Sequence, residues 1–400
     1  VYIFMSVIVA IFMGLTVSAE EIIKDRKILK REAFLNLSWN SYLLSKIGVQ
    51  FLISAIQAAS FVAVGNSIFG IRGMWFEYWL VLFSCWATSN MMGLLISDSF
   101  KTVVTIYILI PFLVIPQIIL SGIIVKYDKL NPTISSPVSI PVYGEIIAAR
   151  WGYEALAVDQ FINNRFEKQF YGYDKAISTA KFRKDIWYNE MKSIISRLES
   201  NLERERLDES SGNDMMLIRN EIEEELGFTT AVPFDLRILN PDAITTEALA
   251  AARDYIERVR RYYIEVSRNA VEARDRAIMA YEQADREAFI LMKKQHTNES
   301  LEEFVRNDNE KDKIKRYRDR LYQNYDQIFY DPAHPLVKAH FYAPQKQVFG
   351  LFAGTLAVNT AVIWFMTLCL YILLYFRVLH RILDSSEKFI RVMRAKRERG

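Results

Sequence analysis

The first 32 residues contain two contrasting stretches that decide the fold. Residues 1–19 read VYIFMSVIVAIFMGLTVSA and carry no charge, whereas residues 20–32 read EEIIKDRKILKRE. An apolar helix of about 20 residues is long enough to cross a bilayer. A soluble helix would instead present a polar side chain at every third or fourth residue. The first stretch therefore predicts a membrane span, which the chain leaves at Glu20.

Four later stretches share this length and apolar character, namely residues 42–64, 74–96, 103–125 and 348–376. Together the five stretches predict an all-α, polytopic membrane helix bundle with five spans. The overall composition hides this pattern, because 51% hydrophobic and 24% charged residues would also suit a soluble protein. The 25 Phe and 21 Tyr exclude a disordered chain, and the 2 Cys exclude a disulfide scaffold. The net charge of +3 gives no reason to expect a nucleic-acid partner.

Basic residues predict the orientation, because cytoplasmic loops are rich in Lys and Arg. Residues 24–31 contain five basic residues and residues 377–400 contain eight, so both segments are predicted to be cytoplasmic. Residues about 126–347 are then extracytoplasmic, on the outer side of a cytoplasmic (inner) membrane. A signal peptide is the alternative for residues 1–19, but neither Met nor a basic segment precedes them. We therefore expect a fragment that lacks an upstream span.

The long connection before the last span has two parts. Residues 131–164 are rich in Pro, Ser and aromatic residues and predict outer interfacial or re-entrant helices. The candidate residues of this outer interface are Arg150, Trp151, Tyr153 and Glu154. Residues 165–346 are highly charged and contain apolar residues at helical spacing between Ala252 and Leu291, which predicts a long helical, coiled-coil-like insertion. Its role is either docking and gating or that of a solvated spacer.

Capping residues refine this picture of the insertion. Thr245 or Thr246 is expected to cap the start of its long helix. Residues 300–303 read SLEE, a capping box that predicts a further helix as far as about Tyr325. The predicted domains are then residues 1–130 with a cytoplasmic helix at 20–36, residues 131–164, residues 165–346, and residues 347–400 with the last span and a basic tail.

The sequence contains no signature of catalysis or of metal binding. It has no phosphate-binding G-x-x-x-x-G-K-[ST], no C-x-x-C and no H-E-x-x-H. His334 and His340 near Asp331 lack a clear third ligand, and Cys85 and Cys369 fall within spans, where packing is their expected role. We therefore predict neither a metal nor a cofactor in these 400 residues.

Polar and small residues inside the predicted spans favour contacts between helices. The candidates are Gln57, Asn90 and Asn359, together with Gly350 and Gly354 as a G-x-x-x-G pair on the last span. Lining a substrate path is the alternative for some of them. The predicted spans carry no charged residue near the membrane centre, which disfavours a transporter driven by protons or ions.

The charged helix at 20–36 is the most informative motif. It is short and amphipathic, and such a helix can bind in a groove of a cytoplasmic partner and transmit force. Its candidate coupling residues are Glu21, Asp25, Arg26, Arg31 and Glu32. An ordinary charged loop is the alternative.

These motifs resemble type-2 ABC exporters of the G subfamily, the White and pleiotropic-drug-resistance type. Asp25-Arg26 followed by Arg31-Glu32 and by a Tyr-rich entry at Tyr42 resembles their coupling helix and next span. Residues 120–132 resemble the end of their fifth span, and residues 150–161 resemble their outer re-entrant helices. The resemblance covers about residues 1–161 and 347–400, and the length of the insertion suggests a bacterial branch.

The resemblance implies the permease portion of a homo- or heterodimeric, ATP-driven exporter in the lipid bilayer. The five spans would be the second to sixth of six, and ATP and Mg would bind an upstream or separate nucleotide-binding domain. The full-length protein would then be an ATP-hydrolysing translocase. The implied substrate path is lined by Phe4, Phe12, Met13, Tyr107, Phe112, Ile115 and Gln117. The insertion could bind a periplasmic partner, and the alternative function is a mechanical scaffold or sensor with a helical rod.

Overall fold

The computed structural model describes residues 1–32, 38–130, 136, 139–241, 243–332 and 336–397. This part of the chain is mostly helical and forms two compact units. Unit 1 comprises Val1–Ile134, Ile140–Gln160 and Leu351–Gly400, and unit 2 comprises Ser135–Ser139 and Phe161–Gly350.

The elements are named here in chain order. The helices before the insertion are α1 (Tyr2–Ser18), α2 (Glu21–Glu32), α3 (Trp39–Phe69), α4 (Trp75–Ser99), α5 (Val103–Ile119), α6 (Val142–Glu145) and α7 (Ala148–Ile162). Those of the insertion are α8 (Glu167–Lys181), α9 (Tyr188–Glu203), α10 (Glu209–Phe228), α11 (Thr246–His296) and α12 (Glu299–Arg306). The short strands β1 (Ile314–Arg316), β2 (Leu321–Gln323), β3 (Gln345–Val348) and β4 (Leu351–Gly354) precede α13 (Thr355–Tyr375) and α14 (Val378–Arg397).

Four segments among the described residues are long and apolar enough to cross a membrane. They are Tyr2–Leu29, Trp39–Phe69, Trp75–Ser99 and Thr355–Tyr375. They correspond to the predicted first, second, third and fifth spans, and they agree with an all-α membrane bundle. The predicted fourth span forms the shorter helix α5, which ends at Ile119 rather than at residue 125. A turn follows it, in which Gly122 has a φ of +85° that other residues rarely adopt. Five spans therefore remain a prediction.

Helix α4 lies at the centre of unit 1. Of its apolar segment 83% is buried, compared with 22% for α3 and 28% for α13. Small residues allow α1 to approach α4 closely: a Cβ at Gly14 would lie 2.8 Å from the carbonyl oxygen of Trp86. Such close approach of backbones provides the van der Waals contact that holds helices together in lipid. The bundle is therefore built around a helix that is buried on most sides.

Unit 2 has a hydrophobic core of its own, to which α9, α10 and α11 contribute. Charged side chains are also buried in it. A π-helical turn, Phe182–Trp187, joins α8 to α9 and contains Arg183, whose Nε lies 3.1 Å from a carboxylate oxygen of Glu225. The indole of Trp187 donates to Glu221 at 2.7 Å. Pairing and hydrogen bonding offset only part of the cost of taking these charges out of water, and burial raises the pKa of the Glu221 carboxyl to about 7.

The structure of the insertion agrees with the prediction from the sequence at some positions and differs from it at others. Helix α11 begins at Thr246 with Thr245 as its cap, which confirms the predicted start. The apolar seam is buried at Ala252 and Val259 but exposed at Ala284, next to Asp285, where the backbone is not helical. Because the second half of the seam is exposed, a coiled coil remains a prediction.

The predicted helix from the SLEE capping box to Tyr325 is wrong. Asn298 caps α12 instead, through a hydrogen bond from the backbone N–H of Leu301 at 3.1 Å, and α12 ends at Arg306. Asn307 follows in the left-handed conformation, which terminates the helix. The next segments, β1 and β2, pair as antiparallel strands. Local turn geometry and strand pairing thus overrode the helical pattern of this segment.

The Thr245→Ala variant should unfold more readily at the start of α11. The Thr245 hydroxyl accepts a hydrogen bond from the backbone N–H of Ala248 at 3.2 Å, and loss of such a cap costs about 1 kcal/mol. We expect amide hydrogen exchange in the first turns of α11 to accelerate about fivefold. Thr246→Ala, at the neighbouring exposed residue, is the control and should leave exchange unchanged. Equal exchange in both variants would contradict the assigned cap.

Candidate functional site

The start of α2 and the end of α4 cap each other. The backbone N–H groups of Ile22 and Ile23 both donate to the hydroxyl oxygen of Ser97, at 3.0 Å each. In return, the guanidinium of Arg26 donates to the carbonyl oxygens of Ser97 and Asp98, at 3.2 and 2.9 Å. Helix ends leave these N–H and C=O groups without partners of their own. The exchange therefore satisfies both ends and fixes α2 to α4.

Two acidic residues of α2 bind α3. The hydroxyl of Tyr42 donates to the carboxylate of Asp25 at 3.0 Å. The ammonium of Lys46 lies 2.8 Å from Asp25 and 3.0 Å from Glu21. Glu21 and Asp25 lie four residues apart and so share one face of α2, which the basic and phenolic groups of α3 occupy. Of the predicted coupling residues, Glu21, Asp25 and Arg26 are thus brought together on the inner side of this helix.

The opposite face of α2 is exposed. It presents Lys24, Lys27, Ile28 and Arg31, at spacings of three and four residues that lie along one side of a helix. The Ile28 side chain is 53% exposed. Glu32 ends the helix, but its side chain lies outside the described residues, as do residues 33–36 of the predicted coupling segment. An apolar side chain among three cations forms a basic, partly apolar surface.

An ion pair joins the end of α4 to the end of the last span. Asp98 is 1% exposed, and both its carboxylate oxygens accept from Arg377, at 2.6 and 3.1 Å. Arg377 has a φ of +51°, which separates α13 from α14, and its guanidinium lies 4.7 Å from the ring of Trp39. A bidentate pair of this kind fixes orientation as well as distance. In the sequence, Arg377 stands out only as part of a basic tail, and neither Asp98 nor Ser97 is predicted as a functional residue. A charged residue directly after an apolar run was the signal available for Asp98.

A second cluster of buried charges lies on α7. Arg150 and Glu154 have no exposed surface, and the guanidinium donates to the carboxylate at 2.9 Å. Arg150 also pairs with Glu145 and lies over the ring of Trp151, at 3.4 Å from its centre. The amide of Asn359 on α13 donates to Glu154 at 2.8 Å. These residues join α7 to α13.

The four residues predicted at an outer interface are all buried within unit 1, namely Arg150, Trp151, Tyr153 and Glu154. Their location at an outer membrane interface stays a prediction. Loss of one partner from a buried ion pair leaves an unpaired charge and is costly. Arg150 and Glu154 therefore constrain the position of α7 more than any exposed pair could.

The predicted path residues separate into exposed and buried groups. Phe12, Tyr107, Phe112 and Ile115 are between 44% and 69% exposed, which places apolar surface on α1 and α5. Gln117 differs, because it is buried and accepts a hydrogen bond from the backbone N–H of Ala149 at 3.0 Å. It is therefore placed to hold the start of α7 rather than to form an exposed surface.

One candidate for the substrate path and one candidate for helix packing line the same groove. Met13 and Gln57 both line an open, mostly apolar groove of about 830 Å³ between α1, α3 and α4. Phe4 lies elsewhere on α1, where its ring contacts that of Tyr153 edge-on with centroids 6.3 Å apart. The structure thus does not gather the seven predicted path residues at a single surface of this chain.

Of the other packing candidates, Asn90 joins two helices, whereas the two glycines lie outside the last span. The amide of Asn90 donates to the hydroxyl of Ser54 at 2.7 Å, which joins α4 to α3. Gly350 and Gly354, however, precede α13, which begins at Thr355. The prediction that they form a G-x-x-x-G pair on the last span is wrong, because Gly350 has a φ of +87° and Gly354 ends a strand. Apart from their neighbours in the chain, no described residue has an atom within 4 Å of the position of the missing Cβ of either glycine.

No group of three or more His, Cys, Asp or Glu side chains that could hold a metal occurs among the described residues. His340 contacts the carbonyl oxygen of Gln327 at 2.9 Å through its Nε2. His334, its predicted companion, lies outside the described residues. Cys85 is buried and Cys369 is exposed, and both are free thiols.

Residues 1–161 match the family model described as ABC-2 type transporter. This segment carries an ABC-2 type permease domain. The match includes α1 to α5 and ends within α7, so it contains the α2–α4 junction and the Arg150–Glu154 pair. No curated protein and no solved structure matches the chain. With its apolar helices, the chain is a multi-pass membrane protein. A permease domain of this type binds no cofactor itself and works with an ATP-binding component.

The Arg26→Gln variant of the permease domain should loosen α2. Its shorter amide cannot reach the carbonyl groups that close α4, and each buried acceptor left without a partner costs about 1–3 kcal/mol. We expect amide exchange in α2 to accelerate roughly tenfold or more. Lys27→Gln removes the same charge from the neighbouring exposed residue and should leave exchange in α2 unchanged. Similar exchange in both variants would contradict the capping role of Arg26.

Proposed function

We propose that the chain is the transmembrane portion of an ATP-driven ABC exporter that moves an unidentified substrate across the cytoplasmic membrane. The family match of residues 1–161 supports the transporter class. The observation that carries the coupling mechanism is the construction of α2. One side of this helix is hydrogen-bonded to α3 and α4, while Lys24, Lys27, Ile28 and Arg31 lie exposed on the other. Such a helix can receive force on one face and deliver it on the other.

The proposed relay begins when ATP binding closes the nucleotide-binding domains. Movement of α2 would displace the end of α4, because slippage between them would leave Ser97 and Arg26 without partners. The Asp98–Arg377 pair would carry the displacement to the end of α13. Each of these contacts is a hydrogen bond made by a buried or half-buried side chain. Breaking them would cost free energy, so we expect the connected helices to move together.

The proposed path lies between two copies of the permease domain, or between this chain and a related one. The exposed apolar faces of α1 and α5, with Phe12, Tyr107, Phe112 and Ile115, support this arrangement. Exposed apolar helix faces of this kind suit contact with a second membrane subunit or with an apolar substrate. Apolar lining residues fit lipids, peptides and drugs alike, so the substrate class stays open.

We further propose the G-subfamily type and its bacterial branch, with ATP and Mg bound by an upstream or separate domain. The tail and α2 would face the cytoplasm, and residues about 126–347 would be extracytoplasmic. The density of Lys and Arg in residues 24–31 and 377–400 supports this orientation. Unit 2, with its own hydrophobic core, would be an extracytoplasmic domain that binds a periplasmic partner.

A second candidate function is a membrane-anchored scaffold or sensor whose unit 2 binds a partner without transport. The independent core of unit 2 favours this reading. The two functions differ in one measurable respect, because only the exporter requires ATP hydrolysis that responds to substrate.

The double variant Ile28→Ala, Arg31→Ala should weaken the contact between α2 and the ATP-binding component, and so lower the ATPase activity. It removes an exposed apolar contact and one cation from the outer face of α2 and leaves the bonds to α3 and α4 intact. In proteoliposomes containing the transporter with its ATP-binding component, we expect ATPase activity to fall about tenfold, as expected for a loss of about 1.4 kcal/mol at an interface. Ile68→Ala, at an exposed residue near the other end of α3, is the control and should retain activity. Unchanged ATPase activity in the double variant would refute the coupling role of α2.

A further inference from the structure

The helix that follows the last span, α14, is placed at the boundary of the apolar bundle. It begins at Val378, three residues after α13 ends at Tyr375. The intervening Arg377 bends the chain through its positive φ and is held by buried Asp98. The direction in which α14 leaves the span is therefore fixed by a bidentate ion pair rather than by a loose linker.

A second contact fixes the polar side of α14. The ammonium of Lys101, at the connection between α4 and α5, lies 2.5 Å from Glu387 and 3.6 Å from Asp384. The hydrogen bond to Glu387 raises the pKa of the Lys101 ammonium above its ordinary value. The two acidic residues between 378 and 397 thus both face a cation of the bundle, and Leu379 packs against a hydrophobic cluster of unit 1.

The rest of α14 combines exposed apolar and basic residues. Ile382 and Phe389 are 55% and 66% exposed, and they lie seven residues apart on one side of the helix. Arg381 and Lys388 are exposed next to them. Residues 390–397 read IRVMRAKR, which adds four basic and no acidic residues. A helix with an apolar side and a basic polar side is the kind that lies in a membrane interface.

We propose that α14 binds the surface of a lipid leaflet that contains anionic headgroups, with Ile382 and Phe389 inserted among the acyl chains. Continuity with α13 favours a membrane over a soluble partner, because the helix starts where the span ends. Charge complementarity favours anionic lipid, since Lys and Arg near a membrane surface are each attracted to negatively charged headgroups. Which leaflet α14 binds rests on the proposed orientation, which makes it the cytoplasmic one. The binding to lipid itself does not rest on that orientation.

The test uses the full chain in vesicles of phosphatidylcholine, with or without phosphatidylglycerol. In a Cys85→Ala, Cys369→Ala background, Phe389→Cys or Lys388→Cys carries an environment-sensitive fluorophore, and lipids with a shallow nitroxide act as quenchers. We expect a blue shift and strong quenching at residue 389, greater with phosphatidylglycerol, and weak quenching at residue 388. Arg391→Gln with Arg394→Gln should abolish the increase caused by phosphatidylglycerol. Lys27→Gln with Arg31→Gln removes the same charge from α2 and should preserve it.

Two outcomes would overturn the proposal. Weak quenching at both residues would place α14 away from the membrane, as binding to an acidic protein would require. Equal quenching with and without phosphatidylglycerol would refute the preference for anionic lipid. The orientation is tested separately with Lys396→Cys and an impermeant maleimide, which should react in inverted membrane vesicles and not in intact cells. Reaction in intact cells would refute the proposed orientation, while the quenching data would still decide whether α14 binds lipid.

Discussion

The backbone groups that open α2 and those that close α4 satisfy one another through Ser97 and Arg26, and the rest of unit 1 is arranged around that exchange. An unpaired backbone group that is buried away from water is costly, so both helix ends need such partners. The junction solves this problem for both helices with two side chains. Because α4 is also the most buried of the four candidate spans, the junction joins α2 to the centre of the bundle.

Buried ion pairs connect the other helices in a similar way. Asp98 and Arg377 connect α4 to the turn between α13 and α14, and Arg150 with Glu154 connects α7 to Asn359 of α13. Buried pairs of this kind contribute little net stability compared with apolar packing, but removing one partner is expensive. Their effect is therefore to specify which helices adjoin, which apolar side chains alone would do poorly in a solvent as apolar as themselves.

The two units place different demands on their side chains. Unit 1 exposes large apolar residues such as Phe112 and Ile68, as a surface facing lipid or another membrane subunit would. Unit 2 encloses a core of its own, with Arg183, Glu221 and Glu225 buried inside and charged residues outside. The family match ends at residue 161, where unit 2 begins. Most of unit 2 therefore lies outside the segment that matches the ABC-2 type family.

The sequence by itself determined what depends on neighbours along the chain. Uncharged runs located the long apolar helices, Thr245 located the start of α11, and the alternation of residues 20–32 located α2, because span length, capping and amphipathicity are local properties. Only the tertiary structure decided which residues meet. Asp98 and Arg377 are 279 positions apart, and Gly350 and Gly354 looked helical by spacing although α13 starts after them. Hydrogen bonds and ion pairs depend on distances in space, and spacing along one helix does not record them.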